Sequence, residues 1–156
     1  MTAMVGTVLI ADNDAGVRSL LAEILALTGA RITTAADGQE AVDALEQQSF
    51  DVLVCDLDMP RIAGPEVLAR AAALPAPPAA VVVSGFLDGP TRDRLQAIPC
   101  VRQLLRKPFD ILQFLDLVRG MLRAARTAET SAVVTAVANE SAAAAAPLDP
   151  APAVAA

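Results

Sequence analysis

Asp51-Val52-Leu53-Val54-Cys55-Asp56-Leu57-Asp58-Met59-Pro60 sets four consecutive apolar residues directly before a carboxylate. A short, β-branched, uninterrupted apolar run reads as a strand covered on both faces, as strands of parallel sheets are. The pattern recurs on either side. Thr7-Val8-Leu9-Ile10-Ala11 precedes Asp12-Asn13-Asp14, Arg31 to Ala35 is β-branched, Val81-Val82-Val83 precedes Ser84-Gly85, and Val101 to Leu105 precedes Lys107-Pro108. Helical patterns lie between these runs. Val17, Leu20, Leu21, Ile24 and Leu25 recur at helical spacing until Gly29, and Ala41, Val42, Ala44 and Leu45 mark a second helix. Pro65 opens a third at its first turn, a short fourth falls around Thr91 to Ala97, and Asp110 caps a last one through about Arg123. Five strands alternating with five helices predict an α/β fold with a doubly wound parallel sheet.

Composition limits the chemistry. The chain has 156 residues and no His, Trp or Tyr, which excludes a Ser-His-Asp triad, a His-ligated zinc and a phosphohistidine of its own. Twelve basic against 18 acidic residues leave a net charge of −6, which argues against a nucleic-acid partner. Cys55 and Cys100 lie far apart in apolar runs and read as reduced, buried thiols. No signal-peptide pattern opens the chain, and no apolar run approaches the roughly 20 residues of a membrane span. A cytoplasmic protein is expected. Beyond Arg126 the composition turns to Ala, Thr, Ser, Val and Pro, with Pro147, Pro150 and Pro152 near the end. The division expected is a domain over 6–124 and a disordered Ala/Pro-rich tail over 125–156, in which Ser131 to Ala146 forms helix only transiently.

In open parallel sheets ligands bind outside the carboxyl ends of the strands. Asp12, Asn13, Asp14, Asp56, Asp58, Ser84, Gly85 and Lys107 all collect there. Carboxylates, a hydroxyl and one lysine around a central Asp are the parts of a site for Mg²⁺ and a phosphoryl group, because hard cations take oxygen ligands and a carboxylate can accept phosphoryl covalently. Singly, each has a plainer role: Asp after a strand is commonly a helix cap, Ser-Gly a turn and Lys-Pro a solvated loop. Their joint occurrence in this order sets them apart.

Val8 to Asp14, Asp51 to Pro60 with Gly64, Val82-Val83-Ser84-Gly85 and Leu105-Arg106-Lys107-Pro108-Phe109 together resemble the receiver domain of two-component response regulators. The resemblance spans about residues 6 to 124. It implies a flavodoxin-like sheet with strand order 2-1-3-4-5. It also implies that Asp56 accepts phosphoryl from a sensor histidine kinase or a phosphotransfer protein. Ser84 and Lys107 would hold the phosphoryl oxygens, and Mg²⁺ would be bound by Asp12, Asn13, Asp56 and the backbone carbonyl of Asp58. A cis Lys107-Pro108 bond is implied as well. The protein would be a phosphoacceptor rather than an enzyme, limited to self-phosphorylation and slow autodephosphorylation. It would be a stand-alone regulator of the chemotaxis type that signals to a downstream protein.

Three departures from the family's pattern stand out. Asn13 occupies the position where a second acid is usual, so it brings an amide oxygen without charge, and Asp14 compensates only through water or a shifted loop. Leu104 stands where strand five often carries an aromatic. The fourth helix is short and poor in apolar periodicity. Gly85 is expected to leave room for phosphoryl entry, and Phe86 and Asp58 to flank the path of hydrolytic water. The last helix carries apolar residues on more than one stripe, including Leu112 and Leu117, which allows a weak homodimer. Two other readings remain: a degenerate receiver that binds partners without phosphorylation, and a phosphatase of the haloacid-dehalogenase type built on Asp56-Leu57-Asp58. The phosphatase order is opposite, with its nucleophile strand first and its acidic metal pair last.

Overall fold

The computed structural model describes residues 6–144, with side chains described through 128. Its strands are β1 (Thr7–Ala11), β2 (Arg31–Ala35), β3 (Val52–Asp56), β4 (Ala79–Ser84) and β5 (Val101–Arg106), and its helices are α1 (Ala15–Ala26), α2 (Gly38–Gln47), α3 (Gly64–Ala72), α4 (Gly89–Gln96) and α5 (Ile111–Ala144). All strand pairs are parallel, in the order β2-β1-β3-β4-β5. This is the expected doubly wound sheet with strand order 2-1-3-4-5.

The three inner strands are apolar on both faces because both faces are covered. Alternation along each strand divides their side chains. Leu9, Leu53, Cys55 and Val82 pack with Leu45, Val67, Leu68 and Leu95 beneath α2, α3 and α4. Val8, Ile10, Val54 and Val81 pack with Leu21, Leu25, Phe114 and Val118 beneath α1 and α5. The edge strands β2 and β5 mix buried and exposed positions.

Local chemistry sets the helix ends. Asp14 Oδ1 accepts from the Gly16 and Val17 amides at 2.8 and 3.1 Å, and Asp37 Oδ1 accepts from the Glu40 amide at 2.8 Å. Glu40 returns the favour by accepting from the Ala36 amide at 2.6 Å, a reciprocal cap. Asp110 Oδ1 accepts from the Leu112 and Gln113 amides and opens α5. Gly29, at φ +80°, takes the chain out of α1.

The end of α5 corrects an expectation. The helix does not stop near Arg123 but runs to Ala144, so residues 125–144 are helical rather than a disordered stretch. The sequence from Thr127 to Ala146 has no Gly or Pro and is rich in alanine, the strongest helix former, and a helix already nucleated on the core propagates through it. The rest of the expected tail, 145–156, lies outside the described residues.

Candidate functional site

Among the described residues, three buried polar side chains, Asp12, Asp56 and Ser84, stand against an apolar interior, and all three lie at or just past strand ends on one edge of the sheet. Parallel register brings them there. Ala11 lies opposite Cys55 and Asp56 opposite Val83, so the residues that follow β1, β3 and β4 emerge side by side. Burying carboxylates is unfavourable unless they are paired. The partner is Lys107, whose Nζ lies 2.9 Å from Asp12 Oδ2 and 3.8 Å from Asp56 Oδ2. It reaches them from the loop after β5, where the Lys107-Pro108 bond is cis and the Lys107 amide donates to the Ser84 carbonyl at 2.7 Å.

One ammonium shared by two carboxylates leaves the site short of positive charge. Burial, and then the neighbouring Asp12 charge, push the Asp56 carboxyl up to about 6, against the opposing pull of Lys107 and the Asp58 and Leu57 amides. Asp12 has further anchors: its Oδ1 accepts from the Asp14 amide at 2.8 Å, and its carbonyl accepts from Arg18 Nη1 at 2.7 Å. Arg18 was not singled out in the sequence, since nothing marks a surface helix arginine as one that reaches back to a strand end. Cys55, next to the acceptor position, is fully buried, and desolvation with the Asp56 and Asp12 charges holds its thiol protonated and inert.

The remaining site residues have distinct placements. Asp58 is exposed, and its amide donates to Asp56 Oδ1 at 3.4 Å. Asn13 is exposed beside Asp12, whereas Asp14 is committed to capping α1. The Ser84 hydroxyl donates to the Phe86 carbonyl at 3.0 Å and accepts from the Phe86 amide at 3.3 Å, so it is engaged by its own turn. A Cβ at Gly85 would meet nothing within 4 Å, so the space there is open without help from the glycine. Phe86 is 68% exposed, and Leu104 is half-buried against the core beneath α4. Gly64 serves the site by close approach: its amide donates to the Leu57 carbonyl at 3.0 Å, and a Cβ there would collide with the Asp56 carbonyl.

Among the described residues no group of three or more His, Cys, Asp or Glu is arranged to hold a metal ion. The donor set is smaller: two converging carboxylates, Asp12 and Asp56, with Asn13 next to Asp12 in the chain. That all-oxygen set, already deficient in positive charge, fits Mg²⁺, which commonly uses one or two carboxylates and keeps several waters.

Comparison with known proteins agrees with this geometry. The family model described as the response regulator receiver domain matches residues 8–119. The transcriptional regulatory protein FixJ of Bradyrhizobium diazoefficiens is 34% identical over 146 residues, which are 93% of this chain and 69% of FixJ. The regulatory protein VirG of Agrobacterium tumefaciens is 30% identical over 117 residues, 74% of this chain but only 43% of VirG. Among solved structures, a CheY-like receiver domain protein of Methanospirillum hungatei superposes with a TM-score of 0.74 at 20% identity, covering 80% of this chain and 98% of that one. The chemotaxis response regulator CheY4 of Vibrio cholerae gives 0.67 at 24% identity, covering 76% and 99%. The haloacid-dehalogenase reading gives way to these matches. By sequence model, strand order and the carboxylates at its strand ends, the chain belongs to the response regulator receiver domain family.

Proposed function

We propose that Asp56 accepts a phosphoryl group from the phosphohistidine of a sensor histidine kinase or phosphotransfer protein, and that the phosphorylated domain signals through contact with another protein. The observation that supports this most is the sharing of the Lys107 ammonium by Asp12 and Asp56, in a site where Asp56 is raised to about 6 and is still largely ionised at neutral pH. An Asp56 oxygen attacks phosphorus, the P–N bond to the donor imidazole breaks, and that nitrogen leaves with its electron pair and takes a proton from water. Lys107 is free to pass from the Asp12 and Asp56 carboxylates to a phosphoryl oxygen. Ser84 would exchange its bond to the Phe86 carbonyl for another phosphoryl oxygen. Asp12, Asn13, Asp56 and the Asp58 carbonyl would hold Mg²⁺, which supplies charge neutralisation at the phosphoryl oxygens when bound.

Incubation with acetyl phosphate and Mg²⁺, followed by intact-mass measurement, tests this reading. The wild type should gain one acid-labile phosphoryl, and Asp56→Asn should gain none. A wild type that stays unmodified would instead support a degenerate receiver acting by binding alone, the alternative that Asn13 keeps open.

A further inference from the structure

Arg18 grips the loop after β1 on both sides of Asn13. Its backbone amide donates to the Asp14 carbonyl at 2.9 Å, the first bond of α1, and its Nη1 donates to the Asp12 carbonyl at 2.7 Å. The rest of Asp12 is committed as well. Its amide donates to the Ala35 carbonyl at 3.2 Å, its Oδ1 accepts from the Asp14 amide at 2.8 Å, and its Oδ2 lies 2.9 Å from Lys107 Nζ. Asp14 Oδ1 is taken by the Gly16 and Val17 amides. Between these two fixed residues Asn13 is exposed, and among the described residues its amide has no hydrogen-bond partner.

On the reading that Asn13 is one of the Mg²⁺ ligands, we infer that Arg18 is a positioning residue for the cation site, presetting the Asn13 amide by clamping the residues on either side of it. A ligand without charge attracts a cation weakly from a distance, so its contribution depends on being in place beforehand. Hydrogen bonds to the groups behind a ligand hold it so. A plainer role for Arg18 is to satisfy a carbonyl at a strand end. In a partly exposed loop water fills that role equally well, and cation affinity does not change with it. Charge and positioning predict opposite signs. A guanidinium bonded to the Asp12–Asn13 peptide repels a divalent cation, so on electrostatics alone its removal tightens binding. Loss of positioning weakens it.

Calorimetric titration of the full chain with Mg²⁺, and the Mg²⁺ dependence of acetyl phosphate labelling, test this. Arg18→Met should weaken Mg²⁺ about tenfold. Arg18→Lys, which keeps a donor for the Asp12 carbonyl, should recover most of the loss. Labelling of Arg18→Met should need about tenfold more Mg²⁺ for half its maximal rate, yet reach the wild-type rate at saturation. General destabilisation does not produce that split. In chelator, the Asp14 amide of Arg18→Met should exchange its hydrogen severalfold faster by NMR. On an Asn13→Ala background the same change should cost less than about twofold in Mg²⁺ affinity, because the ligand it positions is gone. Unchanged or tighter Mg²⁺ binding by Arg18→Met, or an equal loss on the Asn13→Ala background, would overturn the inference. A wild type that binds no Mg²⁺ would overturn it together with the cation site. A wild type that binds Mg²⁺ but takes no label would refute the phosphoacceptor reading alone.

Discussion

Asp56 shows how a residue placed for chemistry weakens the fold that holds it. Its carboxyl is raised from the ordinary 3.8 to about 6 by burial and by Asp12. A group whose pKa is raised on folding contributes stability at low pH that is lost as pH rises through the folded value. The loss here runs between about pH 4 and pH 7 and totals about 3 kcal/mol at ~1.4 kcal/mol per unit. Asp56→Asn, measured by urea unfolding in chelator, should therefore be more stable than wild type at pH 8 by up to about 3 kcal/mol. The gain should shrink steadily on acidification and vanish near pH 4; a constant gain would show that its source is packing rather than ionisation. For Phe86 the expectation concerns a different property, the lifetime of the phosphoryl group. Its exposed ring stands two residues beyond Ser84 and has no group to orient a water for attack on an acyl phosphate. We expect slow autodephosphorylation, and Phe86→Ser should speed the loss of label severalfold in a filter or mass assay. An unchanged rate would clear Phe86 of any shielding role.

The β3–α3 connection carries strain at the scale of an element. Arg61 sits at φ +70°, where a Cβ is unfavourable by about 1 kcal/mol and only Gly, Asn or Asp are at ease. Its long side chain gains only a 3.6 Å contact with Asp37 Oδ2, while two-thirds of it remains exposed. Arg61→Gly or Arg61→Asn should thus raise the unfolding midpoint, with a gain of about 0.5–1 kcal/mol. A loss of stability would mean that the Asp37 pair outweighs the backbone strain. The turn is held in this shape by its neighbours: Ile62 N donates to the Pro60 carbonyl at 2.9 Å, and Gly38 and Gly64 approach backbone carbonyls too closely to admit a Cβ. The α4 element shows the opposite economy. It is capped by Asp88 and buries only Leu95, so it is the helix least bound to the core.

At the scale of the whole molecule, binding of a cation at the proposed site would be linked to folding. Mg²⁺ bound by the native site alone stabilises the protein in proportion to the logarithm of its concentration. Asn13→Asp adds a third negative charge beside Asp12 and Asp56, with opposite consequences in the two conditions. In chelator it should lower the thermal midpoint, because like charges repel in a partly buried site. With millimolar Mg²⁺ it should raise the midpoint above that of wild type and tighten Mg²⁺ about tenfold by fluorescence-free calorimetric titration. A variant with the same midpoint shift in both conditions would show that position 13 points away from the cation.

Much of this was readable in one dimension. Buried parallel strands declare themselves as unbroken apolar runs, because both faces of the sheet must be covered, and the residue that follows each run is bound to lie on one edge. Hence Asp12, Asp56, Ser84 and Lys107 could be assembled from Val8–Ala11, Val52–Cys55, Val81–Val83 and Val101–Leu105 without coordinates. Caps were legible too, since Asp110 and Gly29 act through the nearest turn of backbone. Length of α5 was not, because a loss of apolar pattern and a loss of helix look alike in an Ala-rich stretch without Gly or Pro. Which carboxylate Lys107 pairs with, whether Asp14 caps or faces the site, and how Ser84 is engaged were decided only by tertiary structure. The Lys107 pairing joins side chains far apart in the chain and is set by register and burial, while the Asp14 and Ser84 bonds are local choices among competing partners that spacing alone does not settle.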